Sequence, residues 1–309
     1  MSEMSRHWSR VGEAGTVAGM RILLFIYILF GRVGFRAVLW PVMAYYYLVH
    51  AKARQHSAEY LARVKPFLSS QQARELTSFK HFLAFGEALL DKLIVWMGRI
   101  SDDNVEFATP DAFAHLDTGQ RGGIIIVSHL GNSEICNALA HQARDVRLTI
   151  LVHTRHAVKF NSVLKKLNTS NRIELLQVTE MSPATAMLLS ERIDAGEYVV
   201  IAGDRVPVNN PGRTSTVTFL GESADLPQGA FILAALLRCP VHLLFCLKQQ
   251  GTYHLYLEIF AERLKLPRKE RQAELDKYVQ QYAQRLEHYC IKAPLQWFNF
   301  YPFWGERNT

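Results

Sequence analysis

The chain is short of cysteine, of nucleotide-binding loops and of any charge-free run long enough to be a plain membrane span. Four cysteines (Cys136, Cys239, Cys246 and Cys290) stand among 309 residues, with no C-x-x-C pair and no zinc-ligand spacing. That excludes a disulfide scaffold, and the apolar runs around Cys136, Cys239 and Cys246 read as buried, reduced thiols in a protein facing the cytosol. Neither a P-loop nor a G-x-G-x-x-G fingerprint occurs, so no nucleotide cofactor is expected. There is no H-E-x-x-H; His153 and His156 form H-x-x-H without a convergent carboxylate, so no metal is expected either. G-x-S-x-G is missing too: Gly131-Asn132-Ser133-Glu134-Ile135 lacks the second glycine, which argues against a serine nucleophile elbow. Internal repeats, low-complexity tracts and long linkers are absent.

What is present is a globular composition with an uneven charge. Hydrophobic residues make up 49%, enough for a sizeable core, and the net charge is +7. Residues 1–100 hold 13 Lys/Arg against 6 Asp/Glu, while the remaining residues hold 22 of each. The basic excess therefore surrounds the most hydrophobic segment, Ile22 to Val49. Nucleic acid and anionic lipid both attract such charge, and the adjoining apolar run favours lipid over nucleic acid.

Arg32 and Arg36 divide that segment into uncharged stretches of ten (22–31) and thirteen (37–49) residues. Both fall short of the roughly 18 expected of a simple span, and no small-x-small site marks a cleaved signal peptide. On a helix Arg21, Arg32 and Arg36 lie within about 60° of one another. A cationic face beside an apolar, aromatic one (Phe25, Tyr27, Phe30, Trp40, Tyr45 to Tyr47) suits a helix that dips into one leaflet, or spans with its arginines reaching phosphate or protein. A buried helix of a soluble core is the competing reading. Pro41 is expected to kink the helix.

Beyond it, apolar positions from Gln71 to Met97 recur at helical spacing. Strands and helices then alternate. The predicted strands are 124–128, 148–152, 173–177, 198–202, 214–219, 241–247 and 254–260. The predicted helices are 134–142, 158–167, 183–195, 229–237 and 269–289. The expected fold class is α/β, a mixed and mostly parallel sheet flanked by helices, with an N-terminal hydrophobic membrane-anchoring helix. The expected division is an anchoring helical segment over 1–70 and an α/β domain over 71–309.

The chemistry concentrates after the apolar run Gly123 to Val127. His129 and Glu134 stand five apart, which on one helix would put them 140° from each other. A strand–turn–helix arrangement removes the difficulty. Gly131-Asn132 turns the chain, Asn132 or Ser133 caps a helix, and Glu134 sits in its first turn. Histidine takes a proton near neutral pH, and a carboxylate fixes its tautomer. Helix-start N–H groups around Gly131, Asn132 and Ser133 suit an oxyanion. A second cluster, Gly203-Asp204-Arg205, also follows a predicted strand, with Arg213 in the turn-rich loop beyond and Arg155 after another strand. Since sites of open α/β sheets gather at the carboxyl ends of strands, these residues are expected at the cleft of His129. A structural Asp–Arg pair is the bland alternative.

The blocks RGGIIIVSHLGNSE, LVHTRHAVKFNSVLKKLN, VIAGDRVPVNNPGRTSTVTFLG, DLPQGAFILAALLRCPVHLLF and APLQWFNFYPFW, in this order, resemble the bacterial lauroyl/myristoyl acyltransferases of lipid A biosynthesis. Those enzymes belong to the lysophospholipid acyltransferase superfamily, and the likeness covers about residues 20–305. It implies an acyltransferase moving an acyl chain from a thioester, acyl-carrier protein or acyl-CoA, to a hydroxyl of a membrane lipid. The implied location is the cytoplasmic face of a bacterial inner membrane, against an anionic lipid surface. In that family's H-x4-D/E motif the histidine is the general base, here His129, and the acid orients it, here Glu134. Arg155 and Asp204, with Arg205 and Arg213, map to substrate positioning. The chain has Gly-Asp-Arg where the glycerolipid branch has Pro-Glu-Gly, which disfavours glycerol-phosphate acceptors. The ending QWFNFYPFW also differs from the basic, Trp-rich ending of the lipid A enzymes. Acceptors other than lipid A (another glycolipid, an aminolipid, a polyene lipid) stay open, as does a hydrolase using the same dyad on water.

Overall fold

A computed structural model describes residues 16–96, 104–114, 116, 121–132, 146–152, 173–177, 182–206 and 213–305. The chain forms two compact units, Met1–Leu93 with Cys290–Thr309, and Ile94–Tyr289.

The first unit is helical. Helix α1 (Thr16–Val49) is followed by α2 (Ala51–Val64), a 3-10 turn (Lys65–Phe67), α3 (Ser70–Glu75) and α4 (Ser78–Trp96). The helical periodicity of 71–97 thus resolves into two helices. Leu76 turns extended, and the Thr77 hydroxyl accepts the Lys80 N–H at 3.2 Å to start α4. In α1 the helical dihedrals break at Gly31 (φ 65°, ψ −162°), and not at Pro41, which stays inside the helix. Only glycine adopts that backbone geometry without steric cost, so the bend falls there.

Along α1, Phe35, Leu39 and Met43 are buried, and the missing side chain of Gly86 on α4 makes room for Leu39 and Met43. Two arginines of the expected cationic face, Arg32 and Arg36, are paired within the protein. Arg36 grips Glu87 of α4 through Nε and Nη2 at 2.8 and 3.1 Å, and Arg32 meets the buried Asp91 at 2.9 Å. With Tyr47 against Phe79 and Phe82, these contacts run the two helices antiparallel. Elsewhere on α4, His81 is held by both ring nitrogens, Nδ1 on the Ser57 hydroxyl (3.0 Å) and Nε2 on the Trp297 carbonyl (2.9 Å). Burial pushes His81 down to about 4, although its bond to Trp297 works the other way, so it is neutral at physiological pH. Among the described residues Phe25–Val49 is the one helix long and apolar enough to cross a membrane.

The second unit is a seven-stranded sheet with helices. Its elements are β1 (Val105–Phe107), α5 (Pro110–Ala114), β2 (Ile124–Val127), β3 (Leu148–Val152), β4 (Ile173–Gln177), α6 (Pro183–Asp194), β5 (Tyr198–Ala202), β6 (Thr214–Phe219), β7 (Glu222–Pro227), α7 (Gly229–Leu237), β8 (Val241–Gln249), β9 (Thr252–Ala261) and α8 (Arg271–Lys292), whose last residues belong to the first unit. The sheet order is β1-β9-β8-β2-β5-β3-β4, with β6 and β7 as a separate hairpin. All neighbours in the large sheet are parallel except β8 and β9. The expected mixed, mostly parallel α/β fold is therefore the observed one. Strand β2 is central, and Ile124 to Val127 are all buried, as a strand covered on both faces requires. Helix α8 lays Leu275, Val279, Tyr282, Ala283 and Leu286 in the core as one stripe at helical spacing.

Candidate functional site

Strands β2 and β5 are parallel neighbours in a register that pairs Val127 with Ala202. His129 lies two residues past Val127, and Asp204 two residues past Ala202. Equal overhangs on adjacent strands bring the two side chains to one place at the carboxyl edge of the sheet. The ladder continues one step beyond the strands, since the Gly203 N–H bonds to the Val127 carbonyl at 2.9 Å. Gly203 must be small: a Cβ there would lie 2.6 Å from Ile126 Cγ2 and 3.2 Å from the Tyr282 ring.

Asp204 receives two bonds from one residue. Its Oδ2 accepts the His129 backbone N–H at 2.8 Å, and its Oδ1 accepts from His129 Nδ1, also at 2.8 Å. The carboxylate is 1% exposed and the imidazole 36%. Burial alone would raise the Asp204 pKa, but the His129 charge and hydrogen bonds, with the Arg205 charge, outweigh it and hold the carboxyl at about 2. An ionised carboxylate only accepts, so Nδ1 carries the proton and, on the neutral ring, Nε2 keeps its lone pair.

After His129 the backbone is fastened to β8. Gly131 bridges to Cys246, and the Asn132 N–H donates to the Cys246 carbonyl at 3.1 Å. Gly131 has φ 70°, and a Cβ on it would fall 1.8 Å from that same carbonyl oxygen, so no other residue fits. The Asn132 N–H is thus committed to β8 and is not free for an oxyanion. The Asn132 side chain is buried, and its two polar atoms have no partner among the described residues.

Of the residues singled out in the sequence, His129 and Asp204 are directly bonded, and Arg205 acts on Asp204 through its charge. Arg213 is exposed beside the β6–β7 hairpin, where its carbonyl accepts the Gln228 N–H at 3.0 Å; no bond of its side chain to the pair is described. Ser133, Glu134 and Arg155 lie outside the described residues, as do His153 and His156. Sequence reading did not foresee the supporting roles of Cys246, Gly203 and Tyr282. A glycine before the Asp was the available signal, but its reason is a contact with α8, far along the chain. Among the described residues no group of three or more His, Cys, Asp or Glu could hold a metal.

Fold and site together define an α/β protein with a histidine–aspartate pair at the carboxyl edge of its central parallel strand. The family is more specific. The model of the bacterial lipid A biosynthesis acyltransferases matches residues 3–305, nearly the whole chain, and the protein belongs to that family, which makes it an acyltransferase. No curated protein matches the chain.

Proposed function

We propose that the protein transfers a fatty acyl chain from a thioester, with acyl-carrier protein as the donor, to a hydroxyl of a lipid acceptor, and that His129 is the general base. The observation that carries this reading is the bond between His129 Nδ1 and the buried Asp204, which leaves Nε2 as the proton-accepting atom. In the reaction Nε2 takes the hydroxyl proton, and the oxygen attacks the thioester carbonyl carbon. The carbon–sulfur bond then breaks, and the imidazolium returns its proton to the departing thiolate. The products are an ester and a free carrier thiol, and no covalent enzyme intermediate is needed. Asp204 fixes the tautomer and stabilises the charged ring.

Glu134 completes the dyad expected from the H-x4-E spacing. With Nδ1 already held by Asp204, it acts on the charge of the imidazolium instead of its tautomer. Arg155 and the backbone near Gly131 and Ser133 stabilise the tetrahedral oxyanion, while Arg205 and Arg213 position substrate. The apolar α1 associates the enzyme with the cytoplasmic face of a bacterial inner membrane, where an anionic surface meets the basic first third of the chain. A carrier protein is acidic, and the same basic excess favours its docking.

The test is comparative lipid mass spectrometry of cells carrying the intact protein or His129→Ala. One lipid is expected to lose the mass of one acyl chain in the variant, which identifies chain and acceptor together. Identical lipid profiles refute the reading. Release of free fatty acid with no acylated lipid by the intact protein establishes a hydrolase instead.

A further inference from the structure

We propose that the side-chain amide of Asn132 takes part in the transfer: its Nδ2 donates a hydrogen bond to the thioester carbonyl oxygen as that oxygen becomes negative. This deepens the proposed function and rests on its reading of His129 as the base. Asn132 is 3% exposed, yet neither its Oδ1 nor its Nδ2 has a hydrogen-bond partner among the described residues. Its backbone N–H, by contrast, is engaged with the Cys246 carbonyl at 3.1 Å. Buried polar groups are nearly always paired in native proteins, because an unpaired one has given up its bonds to water for nothing. Among the described residues Asn132 is the one buried side chain with two such atoms open. It stands three residues after the base. An amide held open at that place is a group kept for a ligand.

The strand order puts the amide on the side where the reaction needs a donor. His129 follows β2, which lies between β5 and β8. Its Nδ1 faces Asp204, just past β5, at 2.8 Å. The two nitrogens of an imidazole point apart, so Nε2 faces away from β5. Asn132 is fastened on that opposite side, at β8, by its own bond to Cys246 and by the bridge of Gly131 to the same residue. Gly131, with φ 70° and no room for a Cβ against the Cys246 carbonyl, keeps the turn in place. One short, fixed turn therefore presents base and amide at the same sheet edge, with the orienting acid on the far side of the ring.

The chemistry selects the donor end of the amide. When Nε2 takes the hydroxyl proton and the acceptor oxygen bonds to the carbonyl carbon, the carbonyl π pair moves onto its oxygen. That oxyanion only accepts, and Nδ2 only donates. On collapse the pair re-forms the C=O bond, the carbon–sulfur bond breaks, and the thiolate takes the proton from Nε2. The amide itself is unchanged. Being neutral, it sets no like charge beside the imidazolium that forms on His129. Both amide atoms are shut off from water, so the bond forms as the thioester enters. There a fixed donor acts more strongly than it would in water. Until then the open amide lowers stability, as active-site groups often do.

The experiment uses the full chain in detergent, with myristoyl-acyl-carrier protein as donor and a total bacterial lipid extract as acceptor, and reads the released carrier thiol. Asn132→Leu keeps the branching of the side chain and removes both polar atoms. Asn132→Asp keeps the shape and replaces the donor by an acceptor. Each is expected to lower the maximal rate about 10²- to 10³-fold, with KM for the donor little changed. Asn132→Leu is also expected to melt at or above the parent temperature, because an unpaired buried amide is gone, and to keep the parent pH profile, because Asp204 still holds Nδ1. A rate within about tenfold of the parent overturns the proposal. So does a lower melting temperature with a rate that tracks the folded fraction, which marks a structural amide. A lowered rate with a shifted pH profile means that Asn132 acts through His129 and overturns the oxyanion role. If Asn132→Leu does not fold, the folded Asp variant decides by the same rate criterion. His129→Ala in the same assay judges the base separately: full activity there refutes that reading whatever Asn132 does.

Discussion

Replacing Asp204 by asparagine is nearly isosteric, yet it should reverse the imidazole. The carboxylate accepts twice from His129, at 2.8 Å from the backbone N–H and 2.8 Å from Nδ1. A carboxamide has one accepting oxygen. The backbone N–H can only donate, so that oxygen must turn to it, and the amide NH2 then faces Nδ1. Nδ1 avoids a clash of donors by giving up its proton, which moves to Nε2. The ring then offers an N–H where it should take a proton from the acceptor. A wrong tautomer in a histidine–aspartate pair costs about 10⁴-fold in kcat, equivalent to about 5 kcal/mol of transition-state stabilisation. The expected result for Asp204→Asn is a fall of about 10³- to 10⁴-fold in kcat with KM little changed, measured as acyl transfer from acyl-carrier protein. Rate in the variant should rise with hydroxide instead of levelling.

Stability gives a second readout. A carboxyl held at about 2, against 3.8 ordinarily, contributes about 2 kcal/mol at neutral pH. Its folded pKa is depressed, so that contribution is present above 3.8 and is lost as pH falls through 2. Asp204→Asn should remove this acid-side dependence in unfolding experiments. An asparagine variant with activity within about tenfold of the parent and an unchanged pH profile would refute the tautomer argument.

The buried, neutral His81 makes a second acid test of the same sign at higher pH: held at about 4 against 6.5 ordinarily, it leaves stability intact above 6.5 and withdraws up to about 3 kcal/mol as pH falls from 6.5 to 4. Denaturant unfolding of the parent and of His81→Gln across that range should differ in slope. Gly131→Ala places a Cβ 1.8 Å from the Cys246 carbonyl at φ 70°, so it should destabilise by about 3 kcal/mol or more and abolish activity, read by thermal melting and acyl transfer. Gly203→Ala meets Ile126 and the Tyr282 ring less severely and should cost about 1–3 kcal/mol. Arg32→Leu removes an ion-pair partner 2.9 Å from the buried Asp91 carboxylate and should cost more than Arg32→Leu with Asp91→Leu together, a coupling that a double-mutant cycle measures.

Strand positions were readable where apolar β-branched runs end in polar turns. Residues 148–152, 173–177, 198–202 and 214–219 are strands as the pattern predicts. The β7 partner of β6 was not readable. Its sequence ESADLP mixes acids and a proline, and the hairpin loop is Leu220-Gly221, both at positive φ, where the usual Asn-Gly signal is missing. Short β1 likewise exists because β9 offers it an edge, a tertiary cause that three residues cannot announce. The break of α1 is local, but proline and glycine competed for it; the helix accommodates Pro41 and bends where glycine reaches a conformation closed to other residues.

The site divides along the same line. That His129 and Asp204 each end a buried strand was visible in the sequence, and so was the rule that strand ends collect chemistry. That they end adjacent strands at equal overhang was not, because 75 residues separate them and the order β8-β2-β5-β3 is decided by how crossovers pack. Local spacing therefore paired His129 with the acid nearest in sequence, Glu134, whereas Nδ1 is occupied by an acid from the neighbouring strand. The arginines of α1 repeat the lesson. Their common face suggested partners in phosphate or in protein, and a helix more than forty residues later supplies Asp91 and Glu87 at the matching antiparallel positions. In both places the sequence pattern identifies a group that needs a counter-charge, and only the pairing of elements decides which counter-charge it meets.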